Sequence, residues 1–339
     1  MKQISMFDIQ YPHFYFTKPI RLIELFAGIG SQAKAMKNID LDFTHYRICE
    51  FDKYAVLSYN AIHNTDFQTS DITKINASNL AITGDYDYVL TYSFPCTDLS
   101  LAGKQAGMSK GSGTRSGLLW EVERLLKQMK ELPQVLLMEN VPGVIGKKNI
   151  KDFNEWQAFL ESLGYKNYVE LLNAKHYGIP QNRNRAFMVS ILGDYSYEFP
   201  KRQKLKLRLK DFLEEEVDEK YYLSAKLLKH IDKTGISNGE YIQFERYNGQ
   251  FESLCRVWLK FSPTLHTKSK DIIIYDGENY RHMTNLECWR LMGINDEDFY
   301  KAQASGVSNS QLYKQAGNSI VVQVLEAIFK RMFAKQKPQ

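Results

Sequence analysis

Five short apolar runs, Ile20 to Phe26, Tyr46 to Cys49, Tyr88 to Tyr92, Gln134 to Met138 and Phe187 to Leu192, recur through the first part of the chain. Helix-compatible stretches such as Lys53 to His63 and Leu118 to Lys130 lie between them. Strands that alternate with helices return to the sheet by crossovers, so the pattern predicts an α/β fold on a parallel, doubly wound sheet. The rhythm breaks after about Pro200, where KRQKLKLRLK gives way to the acidic LEEEVDE and then to an aromatic and polar stretch reaching Tyr280. Residues 196–280 therefore read as a smaller inserted unit, and residues 1–195 with 281–339 as the main domain. Helical pattern returns at Thr284 to Met292. A last helix sets Ile320, Val321, Val324, Leu325 and Ile328 on one face at spacings of three and four, which packs the C-terminus back onto the main domain.

The first run ends in Phe26-Ala27-Gly28-Ile29-Gly30, with glycines where the backbone must turn sharply and admit a ligand. Many such turns are only tight loops, and the third glycine of a dinucleotide fingerprint is missing, which counts against NAD or FAD. Glu50 ends the second run and Phe51 follows it. An acid there can hold both hydroxyls of a ribose while the ring stacks on an adenine. Asp71-Ile72, past the next helix, can accept from an adenine amino group and cover its face. Each residue has a bland reading as part of a loop; together they describe an adenosine site.

Tyr92-Ser93-Phe94-Pro95-Cys96 places a cysteine at the carboxyl end of a strand, where open α/β sheets bind ligands. The glycine- and serine-rich TDLSLAGKQAGMSKGSGTRSG that follows has the composition of a mobile loop. A lone cysteine is more often a small buried hydrophobe. Two further groups shift that balance. Glu139 ends the fourth run, at the same sheet edge, and Gln181-Asn182-Arg183-Asn184-Arg185 leads into the fifth with both arginines on one side of the chain. A thiol, a carboxyl group and a guanidinium at one edge suit nucleophilic attack on a pyrimidine.

Bulk properties are permissive. A formal charge of +5, from 44 Lys and Arg against 39 Asp and Glu, allows a polyanionic partner without demanding one. The four cysteines form no CxxC pair and have no histidine ladder beside them, so no metal is expected and a reduced, cytoplasmic protein is. No basic-then-apolar leader opens the chain, and no apolar run nears the ~18 residues of a membrane helix. No membrane association is expected.

At these residues the chain resembles the cytosine-5 DNA methyltransferases. FAGIG, the acid-aromatic pair at Glu50, DIT at Asp71, FPC at Cys96, ENV at Glu139, QNRNR at Gln181, RHMTNLECWRLMG from Arg281 and QAGNSIVV from Gln315 stand in the family's order and at its spacings. The resemblance implies a Rossmann-like, mostly parallel sheet that binds S-adenosylmethionine, with 196–280 as target-recognition domain. It implies Cys96 as the nucleophile that adds to carbon 6 of cytosine, Glu139 at N3, Arg185 at O2, and Arg183 supporting the acid and backbone. Phe26, Ala27, Gly28, Ile29, Gly30, Glu50, Phe51, Asp71, Ile72, Pro95, Leu118, Asn318 and Ser319 are the implied cofactor contacts.

The implied partner is double-stranded DNA, from which the target base must be flipped at a cost of about a few kcal/mol. The gap it leaves could be filled by the loop around Ala102 and Lys104 or by Gln250, for which a solvated loop glutamine is an equal reading. Thr264 is expected near the flipped base. The basic run Lys201 to Lys210 reads either as a phosphate contact or as a solvated linker. A monomer in a bacterial cell, associated with the nucleoid and with or without a cognate restriction endonuclease, completes the expectation. Two departures fall in the frame of the reactive loop: Thr97 where the family usually has Gln, and Ser93 where it usually has Gly. Rival readings are an RNA-directed relative, a silent DNA binder and, more distantly, a nicotinamide enzyme.

Overall fold

The computed structural model describes residues 12–99, 106–228, 240–247, 250–258, 261–267 and 272–333, with the backbone alone for 226–227, 240–247 and 250–258. In chain order the main domain runs β1 (Ile20–Leu25), α1 (Ser31–Asn38), β2 (Thr44–Cys49), α2 (Lys53–His63), α3 (Ala77–Leu80), β3 (Asp87–Tyr92), α4 (Leu119–Gln128), β4 (Val135–Asn140), α5 (Ile150–Ser162), β5 (Tyr165–Asn173) and β6 (Asn184–Leu192). The six strands form one sheet in the order β2-β1-β3-β4-β6-β5. The first four are parallel to one another, whereas β6 is antiparallel to both β4 and β5. The sheet is thus mostly parallel, and the last two strands lie as an antiparallel pair at one edge.

Alternation along the strands divides the core. Leu22, Val89, Val135 and Leu137 face one hydrophobic cluster, while Ile23, Leu90, Leu136 and Met138 face the other. Every residue of β3 and β4 is buried, which is why both read as apolar runs. β5 has a single partner, β6, and is only half-buried along most of its length, so YKNYVELLN carries no such run. That explains why it escapes a reading by hydrophobicity.

The inserted region holds α6 (Ala225–Leu228) and the strands β7 (Glu240–Tyr247), β8 (Gln250–Trp258), β9 (Ile272–Tyr275) and β10 (Tyr280–His282). They form an antiparallel sheet ordered β10-β9-β7-β8. β10 crosses the boundary expected at residue 280. Its Arg281 is buried and makes two bonds, 3.0 and 2.7 Å, to the carboxylate of Glu287, which also caps the next helix through Thr284.

The chain closes with α7 (Asn285–Arg290), α8 (Asp296–Ala304), α9 (Asn309–Asn318) and α10 (Val322–Met332). The face expected on the last helix is buried in the first cluster together with α1, although α10 begins at Val322, after an extended Val321. Among the described residues no helix is long and apolar enough to cross a membrane.

Candidate active site

Cys96 lies four residues beyond β3, half-buried, in a stretch held by three separate clamps. Asn140, the last residue of β4, donates its side-chain amide to the carbonyl of Phe94 (2.9 Å). Ser116, fully buried just before α4, donates its hydroxyl to the carbonyl of Pro95 (2.7 Å) and accepts from the backbone N–H of Asp98 (3.3 Å). The Asp98 carboxylate in turn accepts from the N–H of Ser116 (3.2 Å). Gly143 completes the frame, because a Cβ there would collide with the carbonyl oxygen of Leu99. These contacts fix the backbone on both sides of the cysteine.

Glu139 is buried at the end of β4, and its carboxylate meets Nε of Arg185 on β6 at 3.2 Å. Burial pushes the Glu139 carboxyl above the usual carboxylate range, against the pull of Arg185 and Arg183. The Cys96 thiol is also held above its ordinary value, by burial first and by Glu139 second, while Arg185 and Arg183 draw it down. Three of the expected side chains therefore share one electrostatic site. Arg183 sits behind them: it is buried, and it donates to the carbonyls of Leu265 (2.8 Å), Gly317 (2.9 Å) and Ser319 (2.7 Å). It joins the inserted region and the end of α9 to the edge of the sheet.

On the neighbouring strand ends the backbone opens. Gly28 has a φ of +57°, which favours glycine, and a Cβ there would meet nothing within 4 Å, so the space over it is open. Phe26 before it also takes a positive φ, 58°, which is costly for a side chain-bearing residue. Gly30 has a different reason for being glycine: a Cβ would collide with Nε2 of His63 and the ring of Tyr59 on α2. Helix packing alone already requires glycine at this position. Burial lowers the His63 imidazole to about 3, so a neutral ring meets the Ile29 carbonyl at 3.2 Å under this turn.

Glu50 accepts from the N–H groups of Gly28 (2.9 Å) and Asp52 (2.8 Å), and its carboxyl is raised chiefly by burial. Phe51 is 80% exposed, unusual for so large an apolar surface next to a half-buried acid. Asp71 accepts from the N–H and hydroxyl of Thr73, and Ile72 is buried in the second core cluster. Ala27 and Ile29 are buried, and Pro95 and Leu118 are half-buried. At the far end of the chain Asn318 is exposed, while the Ser319 hydroxyl is committed to the Gln315 carbonyl. Lys314 and Gln315 fasten α9 to the start of α2 through Asp52 (2.5 Å) and the Tyr54 carbonyl (2.9 Å).

The expected DNA contacts fare differently. Ala102 and Lys104 lie outside the described residues, and Gln250 is described only as the first backbone position of β8. The Thr264 hydroxyl donates to the carbonyl of Asn182 (2.7 Å). Its segment is stitched to the sheet edge twice more, through the Gln181 side chain to Leu265 N–H (3.1 Å) and the Asn182 N–H to the Ser262 carbonyl (2.7 Å). Of Asn140, Ser116, Asp98 and Gly143, three carry no motif or periodic signal in the sequence. Asn140 alone had a signal there, as the neighbour of Glu139 at a strand end.

With that geometry in view, comparison with known proteins is specific. The family model described as C-5 cytosine-specific DNA methylase matches residues 20–334. The type II methyltransferase M2.ScrFI of Lactococcus lactis subsp. cremoris is 35% identical, over 94% of this chain and all of that protein. The orphan methyltransferase M.SssI of Spiroplasma monobiae is 32% identical, over 93% of this chain and 98% of its own length. Among solved structures, the S. pombe Dnmt2 methyltransferase shares the fold with a TM-score of 0.68 at 21% identity, covering 92% of this chain and 97% of that one.

Proposed function

The chain belongs to the C-5 cytosine-specific DNA methylase family and is a DNA cytosine-5 methyltransferase; from that premise we propose that Cys96, Glu139 and Arg185 perform the chemistry and residues 196–280 choose the target. The convergence of a thiol, a buried carboxyl group and a guanidinium at one sheet edge is the observation that carries this reading. Carbon 5 of cytosine is too poor a nucleophile to take a methyl group directly. Addition of the Cys96 thiolate to carbon 6 makes carbon 5 enamine-like, and the negative charge this puts on the ring falls on N3 and O2. Glu139, whose carboxyl burial raises, takes up a proton and delivers it to N3 as the ring gains charge, and Arg185 holds O2 and the acid together. Once carbon 5 carries the methyl group, water takes its proton as the Cys96 sulfur departs as thiolate, and N3 returns its proton to Glu139, which restores the aromatic ring. Ser116, Asn140 and Gly143 keep the nucleophile in place through these steps.

The family's cofactor is S-adenosylmethionine, which supplies an electrophilic methyl group on a sulfonium. The residues fit it: the open turn at Gly28, the acceptor Glu50 and the uncovered ring of Phe51 supply close approach, a diol partner and a stacking face. Asp71, Asn318 and the half-buried Pro95 and Leu118 complete the pocket in this reading. Glu50→Ala is expected to weaken S-adenosylmethionine binding by about 1–3 kcal/mol, the worth of charge-assisted hydrogen bonds, in a calorimetric titration. Unchanged affinity would remove Glu50 from the pocket.

Bisulfite sequencing of DNA from a host expressing the chain should show one short sequence methylated at cytosine. Exchange of residues 196–280 for the equivalent stretch of a relative with a known target should move methylation to the donor's sequence, because a recognition unit reads base edges through loop side chains. An active chimera that kept the original target would refute the division of labour. Methylation of tRNA in place of duplex DNA would refute the substrate.

A further inference from the structure

We infer that residues 201–210 are a preformed phosphate-binding strap that grips the DNA duplex beside the target base; this rests on DNA as the substrate. The strap holds six cations, Lys201, Arg202, Lys204, Lys206, Arg208 and Lys210, and every one is exposed. Without these six the formal charge of the chain falls from +5 to −1, so the protein's whole positive excess sits in ten residues. None of the six forms an ion pair among the described residues. Other surface cations of this molecule do find acids: Lys127 meets Glu123, Lys301 meets Glu297 and Arg331 meets Glu198. Cations outside any ion pair also stand elsewhere, as at Lys37 and Lys130, but six within ten residues form a concentrated positive surface for an anion from outside.

A solvated linker would be loose, but this segment is fastened along its length. The Tyr177 hydroxyl donates to the Pro200 carbonyl (2.9 Å), and the N–H of Gln203 donates to the His176 carbonyl (3.0 Å). Leu209 is buried in the first core cluster and Leu205 is half-buried. Beyond the basic run, Glu214 is tied to α7 by its N–H to Glu287 (2.9 Å) and by its carboxylate to Thr284. Cations on a backbone already held lose little further freedom on binding.

The anchor also sets the strap beside the reactive edge. His176 belongs to the turn that leaves β5, and in that turn the N–H of Ala174 donates to the Arg183 carbonyl (3.0 Å). Lys175 lies 5.4 Å over the ring of Phe261, immediately before the Ser262–Leu265 stretch that Gln181 and Arg183 hold. Basic groups therefore run outward from the edge that carries Arg183 and Arg185. The acidic residues Glu215, Glu216 and Asp218 follow within the next turns and would repel a phosphate, so the contact ends near Lys210.

Release of counterions gives the test a number. Each phosphate contact contributes about 0.9 to the slope of log affinity against log salt. Binding of the full chain to a mixed-sequence 40-base-pair duplex would be followed by fluorescence anisotropy from low to high salt. The triple variant Lys204→Gln, Lys206→Gln, Arg208→Gln should lose about 2 to 3 from that slope. A control triple with the same charge change, Lys37→Gln, Lys130→Gln, Lys330→Gln, should keep it, and both should bind S-adenosylmethionine and melt as the parent does. Equal slopes for the two triples would overturn the strap, as would a strap defect seen with tRNA but not with the duplex. A parent chain that ignores duplex DNA altogether would overturn the substrate reading beneath it.

Discussion

Cys96→Ala is expected to abolish methyl transfer to below the limit of a tritium assay and, with it, covalent capture of 5-fluorocytosine duplex. The two readouts test one bond. Elimination of the enzyme from the adduct needs a proton on carbon 5, and fluorine cannot leave as a cation, so a duplex carrying 5-fluorocytosine should stop at the stage where sulfur is bonded to carbon 6. The parent should then give a denaturation-resistant complex in the presence of S-adenosylmethionine. Loss of a nucleophile that acts as a unit with its neighbours typically costs the whole of the chemical step. The variant should still fold, because Cys96 is only half-buried and the clamps on its loop run through Asn140, Ser116 and Asp98 rather than through the thiol. Turnover at the parent rate would remove Cys96 from the mechanism.

What the sequence made legible has a physical pattern. Gly28, Cys96 and Glu139 stand at or just past the ends of the interior strands β1, β3 and β4, and Glu50 just past the edge strand β2, whose last residues still read as a short apolar run; the end of such a run is where a parallel sheet delivers its ligands. β5 is hidden because its half-buried stretch interleaves Lys166, Asn167 and Glu170 with its apolar residues, and with it goes the reversal of β6. The clamps were hidden for another reason. Asn140 reaches Phe94 across 46 residues, and Arg183 reaches Ser319 across 136. No local periodicity encodes such pairs, since each is one polar atom finding one carbonyl only after the sheet has formed. Gly30 shares its motif with Gly28, yet a constraint on its side comes from Tyr59 and His63, about thirty residues away in sequence and on another element. Thr264, expected beside the flipped base, has its hydroxyl bonded to the Asn182 carbonyl, so any part it plays at the DNA would run through the segment it fastens.

Glu139→Gln separates the proton from the shape. The amide fills the same space and can still bond N3, but it has no proton to give, so turnover should fall by about 10²- to 10⁴-fold, the range for a general acid. S-adenosylmethionine affinity should not change. The same substitution carries a second, signed consequence. The negative charge of Glu139 raises the Cys96 thiol, and Arg185 lowers it. Removing the acid must therefore shift thiol ionisation to lower pH, and Arg185→Ala must shift it to higher pH. The measurement is the rate at which the Cys96 peptide alkylates with iodoacetamide as a function of pH, read by mass spectrometry so that the buried Cys49 and Cys288 do not interfere. The Gln variant would thus hold more thiolate at neutral pH and yet turn over more slowly, a combination that loss of fold or of the nucleophile does not produce. If both variants moved the alkylation profile in the same direction, Glu139 and Arg185 would not be acting on Cys96 as opposite charges, and the shared site would have to be given up.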